Sequence, residues 1–232
     1  MPKLLKPAAL ILALASACAH HAADHASWTP LFPDSGVPEG WVVRAWDDVS
    51  KPAPSEAQWK VDADGVLHGS NPRGTWLVSE ATYGDFELAF EWKLGERGNS
   101  GCGIRFPDAG DPAFDGLEIQ MVDPRYNEGR DAPDALSGAI YKASAPIEQV
   151  YKPTDWNAYI IRAEGSRITV TLNAVEVQQI DLDTKTDPIR RHNGEAAPSL
   201  RERPRSGHIG FQELSRGGGH VMIRNARIRT LD

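Results

Sequence analysis

Cysteine is almost absent from this 232-residue chain, which holds only Cys18 and Cys102. Cys18 falls in a leader-like segment, so Cys102 stands alone in the rest, and a disulfide-stapled scaffold is excluded. Long apolar runs are missing too. The clearest, Ala8 to Ala15, is far short of the roughly 20 residues a helix needs to cross a bilayer. Basic charge is in the minority, 25 Lys and Arg against 32 Asp and Glu, for a formal net charge of −7. An acidic surface repels phosphate backbones, so nucleic acid is not an expected partner. No stretch carries a helical apolar repeat, which excludes a helix bundle. Signatures of serine hydrolases (G-x-S-x-G) and zinc peptidases (H-E-x-x-H) are lacking, and Gly217-Gly218-Gly219 reads as a turn rather than a phosphate loop.

What is present begins with an export signal. Lys3 and Lys6 precede the apolar run, and the small residues Ala15-Ser16-Ala17 lead to Cys18. Two processing outcomes compete: cleavage just before Cys18, or lipidation of Cys18 as a membrane anchor. Either predicts a periplasmic or envelope protein. The expected division is a signal at 1–17, a polar tether at 18–27 and one domain over 28–232. Removing 1–17 moves the net charge from −7 to −9, because the segment holds two Lys and no acid. His20, His21, Asp24 and His25 fit a flexible tether better than a metal site.

Beyond Trp28 the pattern is of short strands between Gly, Pro, Asn and Asp clusters. In Asp85 to Trp92, Phe86, Leu88, Phe90 and Trp92 share one face, and in Leu117 to Val122 the apolar residues again alternate with polar ones. Trp156 to Ala163 and Arg167 to Leu172 form a hairpin about Glu164-Gly165-Ser166. Further strands follow at Val175 to Leu182, His208 to Gln212 and Val221 to Leu231. This predicts an all-β fold, a two-sheet antiparallel sandwich of jelly-roll type. Two long loops, Pro124 to Ser137 and Thr184 to Ser206, are expected to be functional or mobile.

Alternation places Glu91, Glu118 and Gln120 on non-core faces. It places Arg105 opposite Cys102, Ile104 and Phe106, and puts Asp123 just past a strand end. Any solvated sheet face carries such groups. Two features argue for a cleft: Glu118 and Gln120 stand side by side at i and i+2, and Gly138-Ala139-Ile140-Tyr141 offers a ring to stack on a sugar. Cys102, among core neighbours, reads as a small buried hydrophobe rather than a nucleophile.

The ordered set Asp85-Phe86-Glu87-Leu88 with Glu91, Asn99-Ser100-Gly101 with Arg105, and Gly116-Leu117-Glu118-Ile119-Gln120 with Asp123 carries a resemblance. Gly138-Ala139-Ile140-Tyr141, Trp156-Asn157, Gly207-x-Ile209-Gly210-x-Gln212 and Arg224-Asn225 complete it. Over about Leu31 to Leu231 the chain resembles the 3-keto-disaccharide hydrolase domain. The chain departs from the common pattern at Gln212-Glu213-Leu214-Ser215, where many members have Gln-Asp-His-Gly, and at Asn173-Ala174, where Asn-Gly is usual.

The resemblance implies a concanavalin-like jelly roll, export, and activity on a small carbohydrate bearing a 3-oxo group. Such a group acidifies the C2 hydrogen, so cleavage can run through C2 proton abstraction, loss of the C1 substituent and hydration. The expected roles are Glu118 as base or acid, Arg105 or a bound divalent metal ion on the enolate, and Asp123 or Glu91 as second carboxylate. Asn99, Gln120 and Tyr141 would bind the sugar. A direct two-carboxylate glycosidase mechanism and a non-catalytic, lectin-like binding module stand as the alternatives.

Overall fold

The structure is a computed structural model that describes residues 27–32, 35–69, 71–128 and 131–231. The signal segment, Cys18 and all but the last residue of the tether lie outside the described residues. The principal strands are Trp41–Ala45 (β1), Thr75–Tyr83 (β2), Phe86–Lys93 (β3), Asn99–Phe106 (β4), Leu117–Val122 (β5), Asn157–Glu164 (β6), Arg167–Leu172 (β7), Val175–Asp181 (β8), Gly207–Glu213 (β9) and Met222–Thr230 (β10). A one-turn helix, Pro112–Asp115 (α1), joins β4 to β5.

The strands form two antiparallel layers. One sheet runs β1-β2-β9-β4-β5. The other runs β8-β7-β6-β3-β10 and continues through the short strands Leu67–His68 and Lys60–Val61, with Thr29–Pro30 on the flank of β10. This is the two-sheet jelly-roll sandwich that alternation predicted. Phe86, Leu88, Phe90 and Trp92 of β3 and Leu117, Ile119 and Met121 of β5 meet Ile209 and Phe211 of β9 in the inter-sheet core. Burying such side chains contributes roughly 1.5–3 kcal/mol each.

The hairpins follow the local chemistry. Gly165, at φ 53°, turns β6 into β7. Between β7 and β8, Asn173 and Ala174 both take positive φ, 51° and 67°, a conformation that suits Gly better than Ala. The strain is offset by the Asn173 side chain, which accepts from the Ala158 amide and donates to the Val150 carbonyl and the Asn157 side chain. That network explains how Ala can replace the usual Gly.

The five-stranded sheet matters for function because its outer face is only partly covered. A small cluster of Val49, Trp76, Val78 and Phe106 covers its middle. Beside it, loops rise at one end: the turn after β1, residues 73–74, the 124–128 segment, the 138–144 segment and the long loop between β8 and β9. Among the described residues no helix is long and apolar enough to cross a membrane.

Candidate active site

The loops enclose a cleft of about 400 Å³ lined by Trp46, Arg73, Asn99, Tyr126, Tyr141 and His192 with their neighbours. Of the two neighbouring strands β4 and β5, β4 contributes Asn99 to this lining, and β5 pairs beside it. Glu118 pairs across with Gly103, and Gln120 with Gly101, so both acid and amide stand on the outer face. The Glu118 side chain leans over Gly101: a Cβ there would lie 2.6 Å from its carboxyl carbon and 2.7 Å from its Cγ. Glycine at 101 therefore makes room for this carboxyl. The segment 138–141 runs alongside, with the Gln120 amide donating to Ala139 O and the Tyr141 amide to Glu118 O, both at 2.9 Å. This anchors Tyr141 next to Glu118.

Glu118 is 2% exposed, and among the described residues its carboxyl has no hydrogen-bond partner. A buried carboxyl without donors resists ionisation. Burial pushes Glu118 well above the usual carboxylate range, and the charge of Asp111 adds to the shift. Asp111, which sequence reasoning passed over, caps α1 by accepting from the Ala113 amide at 3.0 Å. Burial pushes it up to about 7, against the opposing pull of that amide. The two carboxyls thus form a buried acidic pair. Tyr141 is also raised, by burial first and then by Glu118.

His192 reaches the cleft from the tip of the two-residue hairpin Ile189–Arg190 and Ala196–Ala197. Its ring packs edge-on to Phe114 at 5.2 Å and lies 5.8 Å from Tyr141 and 6.4 Å from Trp46. Burial and nearby Lys142 lower its proton affinity, so the imidazole is neutral at pH 7. The adjacent Arg191 clamps Asp115 of α1 through two hydrogen bonds. Buried Arg203 ties the same loop to the carbonyls of Ala113 and Gly116 at 3.1 and 2.8 Å. Nothing periodic in the sequence marks His192; the loop is placed by long-range contacts.

Gln212 is buried on the same outer face of the sheet. It pairs with Trp76, and the neighbouring Phe211–Cys102 pair sets it opposite Gly101. The alternation of Ile209, Phe211 and Gln212 contained that signal. Asn99 is 8% exposed, and its Oδ1 is buried without a partner, an acceptor waiting for a donor. Gln120 folds its Oε1 back to the Met121 amide at 3.0 Å.

Of the expected site residues, the structure brings together Glu118, Gln120, Asn99 and Tyr141. Three others lie elsewhere. Arg105 has a φ of 53°, which breaks the pleat: Ile104 stays in the core, while Phe106 turns to the outer face against Trp76. Arg105 is thereby fully buried and donates to Gly84 O, Gly165 O and Asp85 at 2.9, 2.7 and 2.8 Å. It staples loops of the sandwich and has no access to the cleft. Glu91 belongs to the other sheet, on whose outer face it pairs with Arg224 and Asn225. Asp123 is fully buried with both oxygens taken by Arg125 at 2.7 Å, and these donors hold it below the usual range against burial. It supports the turn that presents Tyr126. For the divalent ion that stood as the alternative to Arg105, no group of three His, Cys, Asp or Glu is found among the described residues. Cys102 is buried, as expected.

Residues 27–229 match the 3-keto-alpha-glucoside-1,2-lyase-like domain. A candidate glycosyl hydrolase from Parabacteroides distasonis is 27% identical, with 88% of this chain and 100% of that one superposed at a TM-score of 0.71. A second from the same organism is 21% identical over 89% and 95% of the two chains, at 0.66. A carbohydrate binding module from Bacillus subtilis, 14% identical over 86% and 99%, shares the fold at 0.51. Among curated proteins none matches the chain.

Proposed function

The chain belongs to the 3-keto-alpha-glucoside-1,2-lyase-like family, and on that premise we propose that it cleaves 3-oxo glycosides, with Glu118 as the proton-transfer group. A carbohydrate-active role is common ground between the family and the likeness to a candidate glycosyl hydrolase. One observation supports the finer reading: a buried carboxyl without protein partners among the described residues, set over a glycine that leaves it space and bonded through its backbone to Tyr141 of the cleft lining.

The 3-oxo group makes the C2 hydrogen acidic. Ionised Glu118 takes that proton, and the C2–H electrons pass into an enolate on the C3 oxygen. The enolate collapses to a C1=C2 double bond conjugated with the C3 carbonyl, and the C1–O bond breaks. Glu118 returns the proton to the departing oxygen. Water then adds at C1 and a proton at C2, which gives net hydrolysis. Burial raises the proton affinity of Glu118, and a stronger base is what a carbon acid requires. Asp111 keeps that affinity high through like-charge repulsion.

We assign the amide of Gln212, on the same face as Gly101, as the donor to the enolate oxygen, since a preorganised donor is the usual device for such charge. The unpartnered Asn99 Oδ1 suits a sugar hydroxyl. Trp46 and Tyr141 suit the apolar faces of the ring. The same reading places the reaction outside the cytoplasm, with the protein anchored through Cys18 or released by cleavage before it.

The test is incubation with 3-oxo-trehalose and detection of 3-oxo-glucose. Glu118→Gln is expected to bind the sugar and lose nearly all turnover. Turnover within a few-fold of the parent would refute the assignment of Glu118. Binding with no turnover by the parent protein would give the carbohydrate-binding reading instead.

A further inference from the structure

Most arginines near the cleft are neutralised. Arg97 meets Glu128 at 3.2 Å, and Arg125 meets Glu96 and Asp123 at 2.7 Å. Arg191 is taken by Asp115. Two guanidiniums on the cleft wall differ. Arg73 donates from Nε to the Leu214 carbonyl at 2.9 Å and from Nη2 to the Tyr126 hydroxyl at 3.3 Å. Arg216 lies over the ring of the same tyrosine, 4.6 Å from its centroid. Among the described residues neither has a carboxylate within 4.0 Å. Both line the one cleft.

Each is thus held in place by neutral groups while its charge is left uncompensated, on a chain whose net charge is −7. A solvated arginine on a surface commonly extends into water. Here two converge on one tyrosine and face one concavity. A guanidinium fixed in that way recognises an oxyanion through paired, charge-assisted hydrogen bonds. The carboxyl pair does not share this wall. The charge that acts on Glu118 is Asp111, near α1, whereas Arg73 and Arg216 stand beside the 124–128 segment.

We propose that the natural substrate carries an anionic substituent, a carboxylate, sulfate or phosphate ester, on the part remote from the bond that breaks, and that Arg73 and Arg216 seat it. The inference rests on the reading of the cleft as a 3-oxo-glycoside site and specifies its substrate class.

Four shape-matched 3-oxo-glucosides test it, with phenol, 4-hydroxybenzoate, 4-hydroxyphenyl sulfate and 4-hydroxyphenyl phosphate as leaving groups. At least one anionic member is expected to exceed the phenyl compound in kcat/KM by about tenfold or more, the scale of one charged hydrogen bond. That advantage should shrink in high salt and fall toward unity in Arg73→Gln and in Arg216→Gln. Which anion gains most identifies the substituent. Binding of the same compounds to the Glu118→Gln protein, followed by tryptophan fluorescence, gives a readout independent of turnover. An anion-to-phenyl ratio near one, or a ratio untouched by both substitutions, overturns the inference and leaves the 3-oxo-glycoside reading standing. Anion-selective binding with no turnover by the parent overturns that reading and retains only the anion seat formed by Arg73 and Arg216. Neither binding nor turnover overturns both.

Discussion

Gly101→Ala probes the geometry around Glu118 more directly than removal of the acid. The new methyl would stand 2.6 Å from the Glu118 carboxyl carbon and 2.7 Å from Cγ. Non-bonded carbons pack at about 3.5–4.0 Å, so the carboxyl must retreat by about 1 Å. The backbone cannot yield instead, because β4 is bonded to β9 on one side and β5 on the other. A displacement of that size at a reacting group costs about 100-fold in rate. The effect on stability is smaller. Overpacking costs roughly 1–3 kcal/mol, and replacing a strand glycine returns about 0.5–1 kcal/mol. The net, about 1 kcal/mol, lowers Tm by a few degrees in a domain of this size. The assay is kcat/KM on 3-oxo-trehalose beside a thermal melt. Gly103→Ala is the control, since the nearest atoms to a Cβ there belong to Phe106 and Trp76, at 3.0–3.1 Å, rather than to Glu118. On a Glu118→Gln background, Gly101→Ala should cost nothing further, because the two changes act through one carboxyl. A Gly101→Ala protein that folds and retains kcat/KM within threefold would refute the placement of Glu118 as the reacting group.

Arg105→Met is expected to destabilise the fold by on the order of 3 kcal/mol, because it strands two carbonyls and Asp85. Urea unfolding measures this, and kcat of the folded protein should be unchanged. Asp111→Asn keeps the cap on α1 and removes a charge. The carboxyl titrates near 3.8 when unfolded and about 7 in the fold, so the folded state holds the extra proton between these values and stability falls as pH rises through that window. The variant should therefore melt higher than the parent at pH 8 and alike at pH 4. Loss of the Asp111 charge also lowers the proton affinity of Glu118. The acidic limb of the kcat/KM profile should then move to lower pH, and an unmoved limb would refute the coupling.

Much of the architecture was legible because strand alternation has a physical cause. Side chains of a pleated strand point to opposite faces, so Phe86, Leu88, Phe90 and Trp92 had to be buried together, and Glu118 had to share a face with Gln120. The site was legible in part. Asn99 and Tyr141 line the cleft, whereas Asp111 and His192 come from a helix turn and a loop in which no period operates.

By itself the sequence determined most strands beyond Asp85 with their inward faces, the β6–β7 hairpin and the pairing of an acid with an amide on β5, since each depends on near neighbours along the chain; it did not mark β1 or β2. Only the tertiary structure decided which sheet each strand joins and which end of it is covered. Period two separates the sides of a strand but is blind to its partners, so Glu91 and Glu118 looked equivalent and stand on opposite sheets. It is equally blind to a left-handed residue, and the single φ of 53° at Arg105 carried that cation from the expected cleft into the interior. The acidic pair of Glu118 and Asp111 exists because segments distant along the chain bury both carboxyls, and burial is a property of the fold.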